Sequence, residues 1–193
     1  MMTLLDNIIT YNEKFVDGKE YEKYQTTKYP DKKLVILSCM DTRLVELLPR
    51  AMNLKNGDVK LVKNAGALVS HPFGSIMRSI LIAVYELNAD EVCIIGHLDC
   101  GMSSINSDSM LSKVVDRGVP EERIETLKYS GIDLHKWLEG FNNVQESVTH
   151  SVDMVQKHPL FPHDVPVHGM VINPKTGRLE VVVNGYSAVS TKS

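Results

Sequence analysis

Two kinds of hydrophobic spacing divide the chain. Between residues 2 and 24 the apolar side chains Leu4, Leu5, Ile8, Ile9 and Phe15 fall on one face at helical spacing. Thr3, three residues ahead of Asp6, has the form of a capping box, and Gly18 breaks or bends the helix. From residue 34 onward short apolar runs alternate with helical patterns. The runs 34–37, 59–62 and 92–95 have the near-continuous apolar character of strands covered on both faces. Residues 44–54 read as a helix that Pro49 either kinks or opens. Residues 74–87 are apolar nearly all round (Ile76, Met77, Ile80, Leu81, Val84), which predicts a buried helix. A helix is expected after Gly101, and another over 142–157 with Val144, Val148, Val152 and Val155 on one side. Residues 118–136 fit neither period. Residues 165–172 and 179–183 read as strands joined by a hairpin at 173–177.

Strands separated by helices imply parallel crossovers. The expected fold is therefore α/β: a single domain over 1–193 with a mainly parallel central sheet, helices on both faces and an antiparallel edge strand. Residues 1–28 form an N-terminal helical arm with no part in a parallel crossover, so its apolar face is expected on a second subunit.

Composition narrows the function classes. At 193 residues, with 43% hydrophobic and 23% charged positions, the chain is globular rather than disordered. Its net charge of -3 offers no electrostatic case for nucleic acid or an anionic membrane surface. The longest apolar run, 80–85, is far short of a bilayer span. Asp6 and Asn7 interrupt the only stretch resembling a signal peptide core. Three cysteines are too few for a disulfide scaffold, so a cytoplasmic setting with free thiols is expected.

Candidate chemistry lies where the strand runs end, which is where ligands collect in open α/β sheets. The first run leads into Cys39-Met-Asp41-Thr-Arg43, the second into Lys63-Asn-Ala-Gly66, and the third into Gly96-His97-Leu-Asp99-Cys100-Gly101. Two thiolates and an imidazole suit zinc, and three protein ligands with a fourth position open is the catalytic pattern. Cys39, His97 and Cys100 are the candidate ligands, whereas Cys93 lies inside a strand and reads as core. Asp99 reads as a turn former, with a supporting role beside the ligands as the alternative. The Gly66 loop is either a tight turn or a source of backbone N–H groups for an anion. The five-residue spacing and Gly-rich turn of a phosphatase loop are missing around Cys39 and Arg43.

These three motifs resemble the β-class carbonic anhydrases, and within them the compact bacterial subgroup. The match runs over about 34–102, with a weaker echo at 167–179. The resemblance implies one zinc per chain on Cys39, His97 and Cys100, and a catalytic dyad of Asp41 and Arg43. It implies reversible hydration of carbon dioxide to bicarbonate and a proton, by attack of zinc-bound hydroxide. Arg43 would hold Asp41 off the metal by a bidentate pair; freed at lower pH, Asp41 could close the site as a fourth ligand. Backbone N–H groups at Gly66 and Gly101 would meet developing charge on bicarbonate. The resemblance also implies an arm wrapped over a partner, hence a homodimer or a dimer of dimers. There are two departures: Pro30 stands where plant-type members carry a bicarbonate-contacting Gln, and Lys63 replaces the usual Arg. Among the other histidines, His71 is the first choice for a proton shuttle. The rivals are a same-fold hydrolase of carbonyl sulfide or carbon disulfide, a non-catalytic zinc- or bicarbonate-binding module, and a thiol redox protein. The Asp41–Arg43 pair speaks against the module, and the missing Cys-x-x-Cys against the redox protein.

Overall fold

In the computed structural model, which describes residues 1–189, the apolar runs become strands of one sheet. They are β1 (Leu34–Cys39), β2 (Val59–Asn64), β3 (Glu91–His97), β4 (Val167–Ile172) and β5 (Leu179–Val183), in the order β2-β1-β3-β4-β5. The first four run parallel and β5 pairs antiparallel to β4 at the edge. The helices are α1 (Leu4–Asp17), α2 (Leu44–Ala51), α3 (Ser75–Tyr85), α4 (Ser107–Asp116), α5 (Glu121–Tyr129), α6 (Leu134–Leu138), α7 (Val144–Gln156) and α8 (Gly185–Val189).

Successive strand residues serve opposite faces, as the two-residue period requires. Val35, Leu37, Val92 and Ile94 pack with Met77 and Ile80 of α3 and Val148, Val152 and Val155 of α7. Ile36, Ile95 and Ile172 pack on the other face with Leu44 and Leu48 of α2. Helices therefore cover both faces, and the expected α/β architecture is the one observed. Glycines let α7 approach the sheet closely: a Cβ built at Gly169 would lie 2.8 Å from Val148 Cγ1, and one at Gly96 would lie 2.7 Å from Val144 Cγ2.

Several local expectations change. α3 is not buried all round: Met77, Ile80 and Ala83 face the core, while Ile82 and Tyr85 on the far side are exposed. A sheet face covers only one side of a helix, so the second apolar side is left outward. After Gly101 there is a single 3-10 turn (Gly101–Ser104), and the α-helix waits until Asn106 caps α4. Residues 118–136 fold into α5 and most of α6, which bury only Ile124 and Leu134 and so carry no strong period. Pro49 sits late in α2, which ends two residues on. The Thr3–Asp6 capping box is present: each side chain accepts the other's backbone N–H, at 2.8 and 3.2 Å. α1 buries none of its residues within the protomer. Among the described residues no helix is long and apolar enough to cross a membrane.

Gly169→Ala should test the close approach of α7. The valine Cγ atoms cannot swing away, so overpacking should cost ~1–3 kcal/mol in urea or thermal unfolding. Adding Val148→Ala should cost less in this background than in the wild type, because it vacates the space the new Cβ needs.

Candidate metal centre

Parallel pairing brings the carboxyl ends of β1, β2 and β3 side by side, with Cys39 opposite Asn64 and Ser38 opposite Ile95. Cys39 closes β1, His97 closes β3, and Cys100 follows in the turn. Their ligand atoms lie within 4.8 Å of one another, and all three residues are buried. The two Sγ atoms are 3.8 Å apart. His97 Nδ1 lies 2.9 Å from the Leu98 carbonyl, which places the proton on Nδ1 and leaves Nε2 bare. That Nε2 is buried and has no hydrogen-bond partner. A buried orphan acceptor is costly, and a cation between it and two sulfurs satisfies it. The donor set fits zinc: two sulfurs and an imidazole nitrogen with room for a fourth ligand.

One of the two sulfurs, that of Cys39, already favours charge. A hydrogen bond from Cys100 is the main cause that draws the Cys39 thiol down to about 4, and the Gly66 N–H adds another at 3.3 Å. Cys100 moves up in response, since it shares its proton with Cys39. Burial pushes Cys93 up to about 12, consistent with the inert core thiol expected from its place inside β3.

Beside the sulfurs, Arg43 grips Asp41 with both edges of its carboxylate engaged. Nε reaches Oδ1 at 3.0 Å, Nη2 reaches Oδ2 at 2.8 Å, and the Arg43 backbone N–H reaches Oδ1 at 2.9 Å. The Arg43 side chain is the main reason Asp41 is held down at about 2. Asp41 Oδ2 faces the donor cluster, 3.7 Å from His97 Nε2. Asp99 does more than form a turn. Its φ of 55° is left-handed, as a turn requires, and it also receives Arg43 Nη1 on Oδ2 and Nη2 on its carbonyl, both at 2.8 Å.

Gly66 and Gly101 take different places at this centre. Gly66 has φ 82°, and a Cβ there would meet Met102 and Phe141 at 3.0 and 3.1 Å. Its N–H is spent on the Cys39 sulfur rather than turned to a substrate. The Asn64 side chain braces this loop by bonding both the N–H and the carbonyl of Leu68. Gly101 opens the 3-10 turn and lines the cavity.

That cavity, about 610 Å³, contains Cys39, Asp41 and Cys100 at its base. Its walls are Met40, Met102, Ile105, Met110, Trp137 and Leu138. Met110, Trp137 and Leu138 were invisible in the sequence as wall residues, because they come from α4 and α6, short helices without a clear period. His71 is not among the lining residues, and its Nδ1 instead accepts the Phe73 N–H.

The sequence pattern of the family described as "Carbonic anhydrase" matches residues 34–179. The crystal structure of β-carbonic anhydrase isoform I from Trichomonas vaginalis superposes with a TM-score of 0.88 at 34% identity, covering 96% of this chain and 100% of that one. The chain belongs to the β-carbonic anhydrase family. Within the family it is 68% identical to "Putative carbonic anhydrase YtiB" of Bacillus subtilis (strain 168), over 96% of this chain and all of that protein. It is also 27% identical to a protein named carbon disulfide hydrolase from Acidithiobacillus thiooxidans, over 77% of this chain and 76% of that one. The motifs at the ends of β1, β2 and β3 all fall within the matched span of this carbonic anhydrase.

In chelator-treated protein, iodoacetamide should alkylate Cys39 well before Cys93, read by peptide mass spectrometry. Because the Cys39 thiol is lowered to about 4, its thiolate is already formed above about pH 5, so its rate should be nearly flat from there upward. Added zinc should protect it. Equal labelling of Cys93 would contradict the charge distribution at this centre.

Proposed function

We propose that this chain binds one zinc ion through Cys39, His97 and Cys100 and interconverts carbon dioxide with bicarbonate and a proton. The observation that carries the reading is the Asp41 carboxylate, gripped by Arg43 and aimed at three converging donors from two strand ends. A zinc-closing structural site has no use for such a pair beside a cavity. When bound, zinc makes water acidic enough to supply a nucleophile at neutral pH. The Cys39 and Cys100 thiolates would offset the charge of a bound zinc, so the site would rely more on its neighbouring side chains than a three-histidine site does. Asp41 is that neighbour. Held far below the usual carboxylate range, it stays ionised and acts as a hydrogen-bond acceptor rather than a proton store. Arg43 fixes which way its oxygens point. The mainly apolar walls suit a small uncharged linear molecule.

The same features suit a linear sulfur analogue, and the relative named carbon disulfide hydrolase gives that second reading its support. Stopped-flow hydration, measured side by side with carbon disulfide and carbonyl sulfide turnover, separates the two. Elemental analysis should find about one zinc per chain in the wild type and in Cys93→Ser. Cys39→Ser, His97→Ala and Cys100→Ser should each lose most of it. Zinc-replete Asp41→Asn and Arg43→Ala should lose ~10²-fold or more in hydration, with Arg43→Lys recovering only part because it cannot grip both oxygens. Near wild-type rates in those two variants would overturn the mechanism.

We further propose that the protein is a homodimer or a dimer of dimers held in part by the arm. Leu4, Leu5, Ile8 and Ile9 of α1 are exposed in the protomer, as are Ile82 and Tyr85 of α3. Such apolar surfaces need cover. Removing residues 2–24 should yield monomer or aggregate in sedimentation, whereas a full-length monomer at micromolar concentration would refute the proposal.

A further inference from the structure

Arg43 has a second set of partners that the dyad does not require. Its guanidinium carries N–H donors on two edges. One edge, Nε with Nη2, serves Asp41. Two of the three remaining Nη N–H donors go to Asp99, one to its carboxylate and one to its carbonyl, each at 2.8 Å. A planar group bound on one edge can still swing about its long, flexible stem. Bound on two edges by different elements, it is held in one plane. Asp41 and Arg43 follow β1, whereas Asp99 lies in the turn after β3, between the ligands His97 and Cys100. The turn that carries two of the three donors therefore also holds the residue that aims Asp41.

We infer that Asp99 is a positioning residue: it latches Arg43 from the far side, so that the Asp41 carboxylate stays paired and pointed at the donor cluster. The inference rests on the function proposed above and adds to it a residue that is not part of the cavity lining. The Asp99 side chain is 75% exposed, so its ion pair adds little to folding stability. Its value is geometric. A small tilt of Arg43 would carry Asp41 Oδ2 away from its place 3.7 Å from His97 Nε2.

The left-handed backbone at Asp99 supplies a way to separate the latch from the turn. Asn and Gly both adopt positive φ readily, so Asp99→Asn and Asp99→Gly should keep the turn. Asn retains a neutral acceptor for Nη1, and Gly retains none. A residue acting only as a turn former would tolerate both equally. A latch should rank them Asp, then Asn, then Gly.

The experiment uses full-length, zinc-loaded protein with zinc content measured for each variant, and it has two readouts. In stopped-flow hydration, Asp99→Gly should lower kcat by about tenfold with KM little changed and zinc retained, the scale expected when a supporting partner of a metal site is lost. Asp99→Asn should fall between Gly and wild type. In an Arg43→Ala background Asp99→Gly should cause no further loss, because nothing remains to be latched. The second readout is independent of turnover: the side-chain Nη proton signals of Arg43 by NMR. They should be separate in the wild type, where rotation is blocked on both edges, and should broaden or merge in Asp99→Gly. An active wild type whose Asp99→Gly variant matches it in kcat and in the Arg43 signals overturns the latch and leaves the proposed function standing. An additive loss in the Arg43→Ala background would likewise reduce Asp99 to a turn residue. A zinc-loaded wild type without hydration activity overturns the function instead, and the Arg43 signals then decide the latch alone.

Discussion

Parallel pairing of β1 with β2 and β3 is the constraint on which the metal centre depends. It sets three carboxyl ends at one level, so that residues 58 positions apart in the chain present ligand atoms within 4.8 Å. No local segment could do this. His97 and Cys100 belong to one turn, but Cys39 reaches them only because β1 and β3 are neighbours in register. A slip of one residue would turn the Cys39 side chain to the opposite face of the sheet. The register is held in turn by strand residues such as Val35, Ile36 and Leu37, which are fully buried between α2 on one face and α3 and α7 on the other.

The charges at the strand ends form one network. Buried thiols and a bare imidazole nitrogen are unfavourable unless something answers them, and here the answer is partly built in. The Gly66 N–H and the Cys100 thiol support a thiolate at Cys39, and Leu98 fixes the His97 tautomer. Arg43 answers the carboxylates, spanning Asp41 and Asp99 from opposite edges. The partners are drawn from the ends of β1, β2 and β3, so the arrangement exists only once the sheet is assembled. The helical excursion α4–α6 then contributes apolar walls rather than chemistry, which is why it tolerates weak periodicity.

How much could be read beforehand follows the range of the interactions. The capping box at Thr3 and Asp6, the strand runs, and the 173–177 hairpin are local patterns, and each appeared as expected. The convergence of Cys39, His97 and Cys100 was legible too, because Cys-x-Asp-x-Arg and His-x-x-Cys are compact motifs placed at the ends of apolar runs. α3 is covered on one side only, which its pattern does not reveal, because sequence shows that a side is apolar and not what covers it. The partner of the Gly66 N–H stays open in the sequence because nothing in Asn-Ala-Gly reveals which acceptor lies above the loop.

By itself, then, the sequence determined the strand runs, the alternation that demands a parallel sheet, and the candidate donor side chains, since propensity, period and donor chemistry belong to residues and their near neighbours. Only the tertiary structure decided that Gly66 serves Cys39, that Met110 and Trp137 wall the cavity, and that Asp99 grips Arg43 across 56 residues. Those are contacts between elements, and they depend on crossings and distances that no local pattern encodes.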